Sequence, residues 1–271
     1  MLFEVWLQII PSMNRQDGKI IVFITGAFLH HSCWDEWKVF FERQGYSVLI
    51  PAWPHKDAPP DVLRSRHPDR EVAAMRLPRL TGYFADTIMR LTERPIIIGH
   101  SLGGLLAQQL LARGLASKAV AIHSVPPQGV FAFSFSFLRA GWPALGFFTP
   151  ASKTFMMSFR QWQYGFANGM PQEWQEAAYC LAIPESKRVV RDTIGSAAKV
   201  DIRQTRGPLL LVAGDADRTI PAALNYANYR KYERSGSATD YKVFPGRSHA
   251  VLLQPGWEEV AAYTLEWIKT H

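Results

Sequence analysis

Cysteine is scarce. The 271 residues hold two, Cys33 and Cys180, too few for a disulfide framework and without the paired spacing of a zinc site, so both are expected as free thiols. Also missing is an unbroken apolar run of about 20 residues, the length a membrane span needs. Val130 to Phe148 comes nearest, but Arg139, Gly141, Pro143 and several serines interrupt it, so no membrane span is expected. Met1 to Pro11 is apolar yet carries Glu4, with no basic leader and no small-residue cleavage site. No secretory signal is therefore expected there, and the cytoplasm is the expected compartment. Repeats and low-complexity tracts are absent apart from Phe131 to Phe137, where phenylalanine alternates with small residues in a way that also suits a strand.

Acidic residues are outnumbered, giving a formal charge of +7. Much of the excess is local: Arg64, Arg66, Arg70, Arg76 and Arg79 fall in one Pro-containing stretch. It lacks the interleaved aromatics of a nucleic-acid surface, so a solvated surface loop is expected and no nucleic-acid partner. The rest of the composition, 48% hydrophobic and 20% charged, is that of an ordinary folded protein, long enough to bury a sizeable core.

Short apolar runs alternate with helical periodicity along the chain. Strands are expected at Lys19 to Ile24, Tyr46 to Ile50, Pro95 to Ile98, Lys118 to Ile122, Pro208 to Val212 and Tyr241 to Phe244. Helices are expected at His31 to Gln44, Leu77 to Leu91, Leu102 to Arg113 and Gly256 to Lys269. Strands so continuously apolar are buried on both faces, which demands an α/β fold with a mostly parallel sheet flanked by helices. Residues 125–204 break the alternation, hold much of the aromatic content and show no convincing strand. They are expected as a helical cap inserted into a core made of 1–124 and 205–271. Of the cap's Phe131, Phe133, Phe135, Phe137, Trp142, Phe147, Phe148, Phe155, Met156, Met157, Trp162 and Tyr164, most are expected in its own core and about a third near a ligand, since ligand clefts are mostly apolar.

Gly99-His100-Ser101-Leu102-Gly103 fits GxSxG. The pattern alone is weak, but here it directly follows an apolar strand and directly precedes a helix, the setting in which it has a mechanical meaning. A turn that tight leaves no room for side chains two residues either side of the serine, which Gly99 and Gly103 satisfy. A serine hydroxyl needs a base to take its proton and a group to orient that base. His249 lies just past the last expected strand, whereas His100, adjacent to the serine, points away from it in such a turn and is expected to pack. Asp215 and Asp217 follow the strand ending at Val212, and either also suits a turn or helix cap.

The chain resembles the alpha/beta-hydrolase superfamily from Lys19 to Ile268. The order Ser101, acid, His249 is that of this superfamily, and its Gly-x-x-Asp followed by Pro falls on Gly214, Asp217 and Pro221, which selects Asp217. The resemblance implies oxyanion donors at the backbone N–H groups of Ala27 and Leu102. Thr25-Gly26-Ala27 stands where relatives often have His-Gly-X, a departure that touches the loop's internal bonding rather than its main-chain donors. Gly26-Ala27-Phe28, Trp34, Trp37, Ser248-His249 and Leu252 to Pro255 are similar to a branch of small-molecule esterases and hydroxynitrile lyases. Those lyases place a lysine straight after the histidine, where this chain has Ala250.

The expected activity is therefore hydrolysis of a carboxylic ester of a small, largely apolar substrate through an acyl-enzyme on Ser101, without metal or cofactor. The rate should fall below about pH 6 to 7, where an ordinary imidazole takes up a proton. Carbon-carbon bond hydrolysis or perhydrolysis on the same three residues is the alternative reaction, and a non-catalytic small-molecule-binding homologue the alternative of another class.

Overall fold

The computed structural model describes residues 19–130, 136, 139–140, 143, 145 and 149–271. Phe131, Phe133, Phe135, Phe137, Trp142, Phe147 and Phe148, and the reading of Met1 to Pro11, lie outside the described residues.

Six strands, β1 (Ile20–Ile24), β2 (Ser47–Leu49), β3 (Ile96–His100), β4 (Lys118–Ile122), β7 (Leu209–Gly214) and β8 (Thr239–Phe244), form one sheet in the order β2-β1-β3-β4-β7-β8. Every neighbouring pair is parallel. The apolar runs of β1, β3, β4 and β7 follow from burial on both faces. Ile21, Phe23, Ile96, Ile98, Val120, Ile122, Leu210 and Val212 feed one core, with Trp34, Trp37 and Phe41. The residues between them, Val22, Ile24, Ile97, Ala119, Ala121, Leu209 and Leu211, feed the other, with Leu105 and Leu110. Period-two alternation thus serves two cores rather than one core and solvent. Each fully buried Ile or Leu side chain contributes about 1.5–3 kcal/mol.

Helix α1 (Asp35–Arg43) covers the first face, joined there by the C-terminal helix α10 (Trp257–Thr270). The face opposite carries α4 (Leu77–Met89) and α5 (Leu102–Ala112). In α1, Trp37 and Phe41 repeat at helical spacing, Asp35 and Glu36 sit at the positive end of the helix dipole, and Gly45 at φ 84° turns the chain out. The chain leaves β1 for β2 on one side and returns to β3 on the other. The carboxyl ends of β1 and β3 therefore frame the crevice where open α/β sheets bind ligands.

Between β4 and β7 lie α6 (Phe159–Gly165), α7 (Gln172–Tyr179) and α8 (Lys187–Asp192). This segment also contains β5 (Thr154–Phe155) and β6 (Glu185–Ser186), an antiparallel pair. The expectation of no strand there is corrected: two residues per strand are too few for periodicity to register. The arginine-rich stretch also differs from the expected solvated loop. It folds into α2 (Pro60–Ser65) and α3 (Arg70–Ala74) ahead of α4, and two of its arginines hold the segment after β4. Arg64 donates to the carbonyls of Ala182, at 2.7 Å, and Tyr179. Arg76 makes a two-pronged contact with Asp192 at 2.8 and 2.7 Å. Among the described residues no helix is long and apolar enough to cross a membrane.

Candidate active site

Ser101 sits between β3 and α5 at φ 55° and ψ −116°, a region costly for a residue with a side chain and retained where surrounding structure imposes it. Its amide donates to the Ile122 carbonyl at 2.9 Å, and its own carbonyl accepts from Gly104 at 3.0 Å and Val125 at 3.0 Å. The glycines are there for close approach. A Cβ on Gly99 would lie 2.0 Å from the Gly103 carbonyl oxygen, and one on Gly103 would lie 2.0 Å from that of Ile24.

The structure brings the three residues of the expected catalytic set together although 148 positions separate the first from the last. His249 Nε2 is 3.0 Å from Ser101 Oγ, and His249 Nδ1 is 2.7 Å from Asp217 Oδ2. The other carboxylate oxygen, Asp217 Oδ1, accepts the backbone N–H groups of Thr219 at 2.7 Å and Ile220 at 2.8 Å. Burial pushes the Asp217 carboxyl up, but the facing His249 and the N–H groups of both His123 and His249 outweigh it and hold the carboxyl well below the ordinary range. Asp215 is exposed and caps the turn instead, accepting the Gly246 N–H at 2.6 Å. His100 packs as expected, its Nε2 2.9 Å from the His249 carbonyl oxygen.

Ala27 and Leu102 border the same cavity as Ser101, and Leu102 opens α5, where the helix dipole favours developing negative charge. Gly26 lets the loop that carries Ala27 approach Ser101, since a Cβ there would meet Ser101 Cβ at 2.8 Å. The cavity measures about 1040 Å³ and its wall includes Phe28, Met157, Phe166, Ile202, Ile220 and Leu224. Ionisable residues reach it at Lys199, Asp201, Arg203 and Lys231. Of the aromatic and thioether residues singled out in the sequence, Met157 lines the cavity, while Trp162 is fully buried and stacks on Phe166 at 4.6 Å.

Three groups of contacts were not read from the sequence. Phe166 sets its ring edge-on to His249 at 4.6 Å, and its carbonyl accepts the Ala250 N–H at 2.8 Å; Ala250, which stands where the lyases have lysine, is buried. On the opposite side, the Ile183 N–H donates to the Phe28 carbonyl at 2.9 Å and the His30 N–H to that of Leu181 at 2.9 Å. The buried Glu185 accepts the Phe28 N–H at 3.3 Å and pairs with buried Lys56, so the segment after β4 is fastened to the loop that carries Ala27. The third is His123, one residue past β4, whose Nδ1 lies 2.8 Å from the same Asp217 oxygen that His249 uses.

His123, Asp217 and His249 bring their ligand atoms within 4.8 Å of one another, as a metal site would. At 2.8 and 2.7 Å from Asp217 Oδ2, the two ring nitrogens are hydrogen-bond donors, and a cation would have to displace both protons. Burial also holds three histidines neutral: His100 well below its ordinary value, His123 below it, and His30 at about 4. All three are depressed relative to the unfolded chain, so their contribution to stability is complete above about pH 6.5 and is lost as pH falls toward 4. Unfolding by denaturant at pH 7, 6 and 5 should show stability falling, by up to about 1.4 kcal/mol per pH unit for each proton the unfolded chain gains. A flat profile between pH 6.5 and 5 would contradict buried neutral imidazoles.

A sharp turn on a parallel sheet's carboxyl edge, presenting a serine to a histidine held by a buried carboxylate, defines the three-layer α/β proteins built around a nucleophile elbow. The sequence profile described as the alpha/beta hydrolase family matches residues 21–262, and the chain belongs to that family. No curated protein matches it. Among solved structures it is similar to an Arabidopsis methylesterase, MES16, at 14% identity and TM-score 0.65, over 93% of this chain and 100% of that one. It is similar to a monoacylglycerol lipase of Paleococcus ferrophilus at 16% identity and TM-score 0.67, over 94% and 96%. A pyrethroid hydrolase from Sphingobium faniae JZ-2 matches at 17% identity and TM-score 0.62, over 92% and 96%.

Proposed function

We propose that the chain is a serine hydrolase cleaving a carboxylic ester of a largely apolar substrate through an acyl-enzyme. The observation that carries this reading is the single hydrogen-bonded line from Ser101 through His249 to the buried Asp217. Ser101 Oγ attacks the ester carbonyl as His249 Nε2 takes its proton, and Asp217 stabilises the imidazolium. The N–H groups of Ala27 and Leu102 receive the oxyanion. His249 returns the proton to the departing alcohol, then deprotonates a water that attacks the acyl-enzyme, releasing the acid and restoring Ser101.

Residues 125–204 act as the cap in this scheme. Phe166 from the cap closes over the base, and Met157 and Phe166 supply apolar wall. A cavity of about 1040 Å³, at the upper end of small-molecule sites, supports acyl or aromatic groups larger than acetate. The similar proteins named as a methylesterase and a monoacylglycerol lipase accord with ester chemistry.

The test is intact-mass labelling with a fluorophosphonate, followed by a p-nitrophenyl ester series of increasing chain length. One adduct per chain and a kcat/KM that rises from acetate to longer apolar acyl groups are expected. No adduct on a folded protein would favour a binding homologue without turnover, and a preference for short charged esters would overturn the substrate class.

A further inference from the structure

We propose that His123 is a positioning residue of this site: its Nδ1–H shares the Asp217 oxygen with His249 and tempers the charge that this carboxylate presents to the base. The inference rests on Ser101, His249 and Asp217 acting as proposed above and adds a fourth member to them.

The geometry is built around His123. Its ring is fully buried, it ends a strand at φ 47°, and its amide donates to the Val212 carbonyl at 2.7 Å. A non-glycine residue is held in that conformation only where the surroundings impose it. Gly214 makes way for the ring, since a Cβ there would lie 2.6 Å from His123 Cε1. Asp217 Oδ1 already serves two backbone N–H groups, so both imidazoles converge on Oδ2, at 2.8 Å for His123 and 2.7 Å for His249.

The tautomer follows. An imidazole nitrogen facing a carboxylate oxygen at 2.8 Å must be a donor, so His123 carries its proton on Nδ1. Among the described residues its Nε2 is buried without a partner, and burial disfavours a second proton there. His123 is thus a fixed neutral donor. The titratable groups facing the cluster are His100, with its ring 6.4 Å from that of His123 and 4.9 Å from that of His249, then His249 itself, 6.2 Å from His123, and Asp217.

A carboxylate that serves one imidazole favours its protonated form, which cannot accept the Ser101 proton. A second donor on the same oxygen draws off part of that charge and weakens the preference. Removing His123's donor should therefore move the acid limb of the rate profile to higher pH.

The experiment measures the second-order rate of fluorophosphonate labelling against pH for the native chain, His123→Asn and His123→Leu. Asparagine places an amide N–H near the position of Nδ1 and tolerates positive φ; leucine removes the donor at similar volume. With leucine the acid limb should move up by about half to one pH unit, while asparagine keeps it near the native position. A leucine variant that is slower at every pH with an unmoved acid limb would overturn the proposal, leaving His123 a packing residue. Imidazole ¹⁵N shifts of the native protein decide the matter independently if leucine does not fold. Protonated Nδ1 and bare Nε2 at His123 are expected, and the opposite tautomer overturns the proposal. If the native protein is not labelled at all while His123 shows the Nδ1–H form, the serine-hydrolase reading fails and the shared hydrogen bond stands.

Discussion

Ser101→Ala is expected to lower kcat by roughly 10⁶-fold and to abolish the fluorophosphonate adduct, because the missing oxygen is the one that forms the acyl bond in the proposed mechanism. The fold should persist. Ser101 is buried, and its side chain is hydrogen-bonded to His249 Nε2 at 3.0 Å, so stability should change by about 1 kcal/mol or less. The turn itself depends on Gly99 and Gly103 and on the main-chain bonds of residue 101, which alanine retains. Thermal denaturation of the variant, in parallel with turnover, separates the two effects. An adduct surviving in the folded variant would mean that another nucleophile reacts. Cys33 is a poor candidate because it is buried and burial pushes its thiol far up, so a surviving adduct would direct attention to exposed Cys180.

What made the sheet legible was burial on both faces. Lys19 to Ile24 and Pro95 to Ile98 read as strands because both faces of β3, and of β1 from Ile21 on, are buried. At the sheet's edges the signal thins: β2 is three residues long with Ser47 and Leu49 exposed, and β8 begins two residues before the apolar run at Tyr241. Ser101, Asp217 and His249 were readable for a different reason. Each lies on a loop just past an apolar strand, and their chain order matches the superfamily's. His123 occupies the same kind of position, the first residue beyond β4, and a rule that inspects every polar residue at a strand's carboxyl end would have found it. Motif matching passes over it because no spacing ties it to Asp217, 94 positions away. Lys56 and Glu185 are illegible on similar grounds, since a buried ion pair between distant positions leaves no periodicity. Arg66, Arg70, Arg76 and Arg79 are exposed as expected; the helices that carry the stretch were missed because an element as short as Pro60–Ser65 has too few turns to show a face, and the partners of Arg64 are backbone carbonyls.

Asp217→Asn should lower kcat by about 10⁴-fold, the cost of leaving the base in the wrong tautomer. The direction in which the amide must point follows from the four bonds the carboxylate makes. Oδ1 accepts from Thr219 and Ile220, so an asparagine keeps its oxygen there and its NH₂ replaces Oδ2. That NH₂ then faces the Nδ1 atoms of both His249 and His123, which must become acceptors. His249 is driven to carry its proton on Nε2, aimed at Ser101 Oγ, where it can no longer receive the serine proton. His123 is driven the same way, and its Nε2 is buried without a partner, so the variant should also lose about 1–3 kcal/mol of stability for a stranded N–H. Asp215→Asn, altering an exposed carboxylate that accepts the Gly246 N–H, serves as the control and should leave kcat near native. A loss below tenfold in Asp217→Asn would show that Asp217 does not orient the base. A full loss of activity with unchanged stability would leave the line from Ser101 to Asp217 intact and place the His123 proton on Nε2 in the native protein, against the tautomer inferred for it.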